Sequence, residues 1–151
     1  MSEIYDAKTV DPKIVDPKTG VGGLLARVRV KILDALDQEL APFDITAAQY
    51  VILKNLANGV DSASGLCRDV SYDPGAMTRM IDRLERKGLV RRLRTPEDRR
   101  VVKVELTQEG KAVYPKLAAS AATALSRKMR GFTEAEVRQL EGFLRRILAN
   151  D

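Results

Sequence analysis

Apolar residues recur every three or four positions through most of the chain, the spacing of amphipathic helices, and give way to strand-like alternation in one short region. Leu25, Val28, Ile32, Leu36 and Leu40 mark a first helix within 20–40, widened by Leu24 and Leu33 and ended by Pro42. Thr46 and Gln49 have capping-box spacing, with Ile45 set to staple onto Tyr50, and Tyr50, Ile52, Leu53 and Leu56 facing inward. Asn58-Gly59 marks a turn, 61–70 reads as a short third helix, and Ser71-Tyr72 is a tight connection. Asp73 can cap a fourth helix starting at Pro74, with Met77, Met80, Ile81 and Leu84 on its core stripe. Gly75, Arg79, Asp82 and Arg86 face the other way, flanked by Thr78 and Arg83. Lys87 and Gly88 close this helix.

Val90 to Arg94 and Val101 to Leu106 then read as two strands around a polar turn rich in arginine. Thr107 caps a long helix running through Ser126 toward Met129. Its internal Pro115 predicts a kink or a compensating contact, and its run of alanines from Ala118 to Ala124 offers a close-packing surface. A second capping box, Thr133 to Glu136, and a staple from Phe132 to Val137 open the last helix. Leu140, Leu144, Ile147 and Leu148 form its stripe. Before all of these, Val-Asp-Pro-Lys occurs at Val10 to Lys13 and again at Val15 to Lys18, and the prolines predict an extended or disordered arm over 1–19.

Two short helices joined by a tight connection, then a hairpin, make a winged helix-turn-helix. The expected fold is mainly α with a small β-wing: about six helices and one two-stranded hairpin. The winged helix-turn-helix covers 44–106, between helical segments at 20–43 and 107–151. The terminal stripes have little left to cover inside one small unit, so we expect a homodimer that buries them and presents two recognition helices to a pseudo-palindromic site.

Charge sharpens this picture. The 151 residues carry a net charge of +5, whereas 75–103 alone holds ten basic and four acidic residues, a net of +6. The excess therefore sits on the two elements that a winged helix presents to double-stranded DNA. Histidine is absent and Cys67 is the only cysteine. That leaves no intrachain disulfide, no metal-ligand spacing and no set of groups to share acid, base and nucleophile roles, so neither catalytic nor metal-binding residues are expected. No apolar run approaches a bilayer span and the N-terminus lacks a secretory pattern, which predicts a cytoplasmic protein without membrane contact.

The residues that carry this reading resemble the MarR family (multiple antibiotic resistance regulators) over about 20–150. The most specific stretches are DITAAQY at 44–50, GAMTRMIDRL at 75–84, KGLV at 87–90, and Asp98-x-Arg100 followed by Val104-x-Leu106-Thr107. The resemblance implies an interleaved, triangular homodimer. It also implies a repressor that leaves its operator when a small phenolic or aromatic acid binds near the junction of its domains. By position, Gly75, Ala76, Thr78, Arg79 and Arg83 would face the major groove and Arg100 the minor groove. Asp98 would orient the wing arginines. Arg94, Arg99 and Lys103 are candidates for phosphate.

Relatives that sense peroxide generally carry a cysteine near the first helix, and metal sensors carry histidines. This chain departs from both, which leaves an organic effector, expected to pair its carboxylate with Arg27 or Arg29 and to pack on Tyr50. No cofactor is expected beyond that effector. Two other readings stay open at the level of sequence: a ligand-independent regulator or activator, and a winged helix used as a protein-interaction module.

Overall fold

The computed structural model describes residue 11 and residues 16–70, 73–94 and 102–150. Among them lie six α-helices and one antiparallel hairpin: α1 Val21–Leu40, α2 Ala47–Ala57, α3 Ala63–Val70, α4 Pro74–Arg86, β1 Val90–Arg94, β2 Val102–Leu106, α5 Gln108–Lys128 and α6 Glu134–Leu148. The expected arm falls mostly outside the described residues. Its last part, 16–19, is a turn rather than an extended strand, because the Asp16 carbonyl accepts the Gly20 amide at 2.7 Å and its carboxylate accepts the Lys18 amide at 2.6 Å.

Local chemistry sets most helix ends. Pro42 stops α1 in a short 3-10 turn, and Asp44 then adopts a left-handed φ of 55°, a conformation open to aspartate. Both predicted capping boxes form: the Gln49 amide donates to Thr46 Oγ1 at 3.2 Å, and the Glu136 amide to Thr133 Oγ1 at 3.2 Å. Asp73 caps α4 and Thr107 caps α5, accepting the Ala76 amide at 2.9 Å and the Gly110 amide at 3.0 Å. Gly88 closes α4 at φ 72°. Pro115 lies inside α5 on its exposed side, where its missing amide would otherwise bond one turn back.

Leu36, Leu40, Ile52, Leu53, Leu66, Met77, Ile81, Leu84, Val90, Val104, Leu117 and Ala121 belong to one buried cluster that joins α1 to α5 and the hairpin. α5 lies close along α1, with Ala121 and Ala124 buried and Ala119 and Ala122 exposed. The small-residue surface is thus used on one side only. In the hairpin Val90 pairs with Leu106, Arg92 with Val104 and Arg94 with Val102.

The third helix begins later than its sequence suggests. Asp61 and Ser62 instead cover the outer edge of β2: the Val104 amide donates to the Asp61 carbonyl at 2.8 Å, and Ser62 bridges Lys103. An unpaired strand edge satisfied in this way ties the helix-turn-helix to the hairpin.

α6 differs from the other helices in that none of its residues is buried. Phe143, Ile147 and Leu148 are exposed, as are Val21, Leu24, Leu25 and Val28 on α1. The expectation that the terminal stripes outrun what one chain can cover agrees with this.

Candidate nucleic-acid interface

Capping and amphipathicity together turn the polar side of α4 outward. Met77, Ile81 and Leu84 enter the core and leave Gly75, Thr78, Arg79 and Arg83 exposed, with Ala76 half-buried. The Ala76 amide, and after it those of the first turn and the Arg79 charge, hold the Asp73 carboxyl below its ordinary range. Thr78 donates its hydroxyl to the Pro74 carbonyl at 2.9 Å, which fixes its rotamer on the exposed side of the helix. A methyl on Gly75 would meet Asp73 Oδ1 at 3.1 Å, so the glycine keeps the cap unpressed and the helix start open to a close-approaching surface.

One residue read as outward-facing is otherwise engaged. Asp82 is half-buried and pairs with Arg92 of β1 at 2.6 Å, because the hairpin folds back beside α4. Arg92 also reaches Glu85 at 2.5 Å. Sequence reasoning missed this cluster. Its one local trace is the placement of two acids three residues apart on a helix otherwise dressed with arginine.

The described part of the wing sorts its charges. Arg91 pairs with Glu105 across the strands, and Lys103 with Asp61 at 3.0 Å, so the Lys103 charge already has an internal partner. Arg94 is exposed and has no ion-pair partner among the described residues. Asp98, Arg99 and Arg100 lie outside the described residues. In α3, Arg68 is exposed and Cys67 half-buried against the core.

The three residues expected to hold an effector are not brought together. Arg27 donates to the Lys18 carbonyl at 3.1 Å and borders a hollow of about 360 Å³ with Leu24, Lys128 and Phe132, which Tyr50 does not line. Arg29 is exposed. Tyr50 stacks on Tyr114, with ring centroids 6.4 Å apart, and burial, then the neighbouring Tyr114, pushes its hydroxyl pKa up. Helical spacing could not show this, because α2 and α5 meet only in the folded chain. A second hollow, of about 290 Å³, lies between Val60, Val104, Leu106, Lys111 and Tyr114. No helix of the described residues is long and apolar enough to cross a membrane.

Comparison with known proteins places this arrangement. The model of the MarR family matches residues 45–102, from just before α2 to the first residue of β2. The chain is 36% identical over 130 residues to the multiple antibiotic resistance protein MarR of Salmonella typhimurium, covering 85% of this chain and 90% of that protein. It superposes with a TM-score of 0.78, at 34% identity, on a cysteine-to-serine mutant of Escherichia coli MarR complexed with operator DNA, over 93% of this chain and 99% of the other. BpsR of Bordetella bronchiseptica, whose DNA binding is regulated by 6-hydroxynicotinic acid, superposes with a TM-score of 0.79 at 27% identity, over 89% and 96% of the two chains. With its helix-turn-helix, its hairpin wing and its match over nearly the whole length of such a relative, the chain belongs to the MarR family of winged-helix transcriptional regulators.

Proposed function

We propose that this chain is a homodimeric, sequence-specific transcriptional repressor acting in the cytoplasm. It binds a pseudo-palindromic operator and is released by a small aromatic or phenolic acid. The observation that carries the reading is the exposed basic face of α4 beside a basic hairpin, in a fold whose E. coli relative is complexed with operator DNA. Arg79 and Arg83 supply forked donors for base edges in the major groove, and Gly75 and Ala76 let the backbone come close. Arg100 reads the narrow minor groove through its negative potential, with Asp98 orienting it. Arg94, Arg99 and Lys103 meet phosphates and add affinity without sequence information.

The dimer follows from the uncovered apolar faces of α1 and α6. For the effector, the regulation of BpsR by 6-hydroxynicotinic acid supports an aromatic acid. The hollow beside Tyr114 offers apolar walls and the Lys111 ammonium for a carboxylate. Its two acids, Asp61 and Glu105, are each paired with a cation of the hairpin, Lys103 and Arg91, and β2 lines it, so an occupant would touch the wing's base.

The test is enrichment of duplexes from a random pool by the purified chain, then titration of the winning duplex and a scrambled one across salt. Preference for the winner, weakening steeply as salt rises, is the expected result. Arg100→Ala should remove that preference while leaving the melting transition unchanged, and unaltered preference would refute the role given to Arg100. If no sequence is enriched, the basic face serves an acidic protein partner. If sequences are enriched but no aromatic acid releases them, the regulator works without a ligand.

A further inference from the structure

Arg92 has no part in the roles above, yet it is one of the best-held cations among the described residues. Its side chain is about three-quarters covered, at 27% exposure. One Nη lies 2.6 Å from Asp82 Oδ1 and 3.4 Å from the Thr78 carbonyl, and the other lies 2.5 Å from Glu85 Oε2. The Arg92 backbone amide donates to the remaining Glu85 oxygen at 3.0 Å. Thr78, Asp82 and Glu85 follow each other at four and three residues, a single row along α4. One residue of the wing thus holds two turns of the helix.

The need for such a tie follows from the rest of the hairpin. A two-stranded ribbon has little stability of its own, and α4 leads into β1 through only Lys87, Gly88 and Leu89, with Gly88 as the pivot. The far strand is anchored elsewhere, through Lys103 and Val104 to Asp61. Met77, Ile81 and Leu84 already pack with Val90 and Val104 in the buried cluster, a hold without direction; the Arg92 fork adds the directional contact that fixes the roll of the helix about that pivot.

We propose that Arg92 is a positioning residue for sequence recognition. By gripping Asp82, Glu85 and the Thr78 carbonyl, it sets the rotation of α4 relative to the wing, so that both elements meet their grooves in register. This rests on the DNA-binding reading above. It assigns Arg92 to discrimination between sequences rather than to phosphate affinity, and it gives the two acids of α4 a reason to stand beside a polyanion. By charge alone, removing either acid should tighten binding to every duplex; as part of the tie, Glu85 is needed for the enriched one.

The experiment uses the full chain as parent, Arg92→Gln, Arg92→Lys and Glu85→Gln, each checked for folding by circular dichroism and melting. Affinity is measured for the enriched and scrambled duplexes over a salt series. Arg92→Gln should lose about tenfold or more of the preference, with the salt slope essentially unchanged. Arg92→Lys, which keeps the charge and loses the fork, should fall between it and the parent. Glu85→Gln should weaken on the enriched duplex while holding or tightening on the scrambled one.

Equal losses on both duplexes in Arg92→Gln, with a slope reduced by about one phosphate contact, would overturn the inference and make Arg92 a backbone contact. Equal tightening on both in Glu85→Gln would overturn it too, and that variant decides the matter if Arg92→Gln does not fold. A parent that enriches no sequence removes the DNA reading itself, and this inference with it, a result distinct from either of those.

Discussion

α4 and α6 are built to the same plan and end in different surroundings. Each is capped by a side chain that accepts an amide of the first turn, carries arginines in its last turn and concentrates its apolar residues on one side. Yet α4 buries Met77, Ile81 and Leu84, whereas α6 buries nothing. An apolar stripe states that a helix will be covered but not by what. For α4 the cover is the chain's own core; for α6 we assign it to a second copy.

The sharpest way to break that comparison is on α6. Phe143→Glu combined with Ile147→Glu places two charges where the proposed dimer buries rings and methyls. The dissociation constant should rise on the order of a thousandfold or more, since an unpaired charge is costly to desolvate. Light scattering should then give half the mass of the parent, with helical content kept. A parent that is already monomeric at high concentration would end the dimer reading.

Ile81→Ala is the matching change on α4. Ile81 is 1% exposed, so its truncation should leave a cavity and cost about 2–5 kcal/mol. Denaturant melts should show that loss equally at low and high protein concentration, because the stripe it interrupts is covered within the chain. A strong concentration dependence would place this stripe in the same class as that of α6.

Between the two helices, Gly110 joins the turn after α4 to the start of α5. An added methyl would come within 2.1 Å of the Leu89 carbonyl oxygen, which already accepts the Thr107 amide at 3.0 Å. Gly110→Ala should therefore destabilise by about 1–3 kcal/mol, through a backbone shift rather than a lost contact. A melt identical to the parent's would mean that α5 can slide away from the hairpin freely.

The smallest effect concerns pH. Asp73 at the start of α4 is held below its ordinary pKa chiefly by the Ala76 amide, and Glu136 at the start of α6 by the amide and then the hydroxyl of Thr133. A carboxylate whose folded-state pKa is depressed stabilises fully above its unfolded value. That contribution is lost as pH falls through the folded value, here from about 4 downward. Melting temperatures followed from neutral pH into that range should decline less in Asp73→Asn than in the parent, since asparagine caps without titrating. Equal declines would locate the acid sensitivity in other carboxylates.

The chain's local grammar was legible without coordinates because its causes lie within a few residues of each other. Both capping boxes, the Asp73 and Thr107 caps, the stop at Pro42 and the alternating hairpin each depend on a short window of sequence. The candidate groove face of α4 followed from those same windows, for once a helix is amphipathic its polar side is also known. Only the folded chain could decide where the elements meet. It drew Asp82 out of the outer face to Arg92, turned Asp61 and Ser62 into the cover of a strand edge, and stacked Tyr50 on Tyr114 away from Arg27. These contacts join positions that no helical or strand period relates. Their geometry follows from the packing of one element on another, and the same packing leaves the stripe of α6 uncovered while that of α4 is buried.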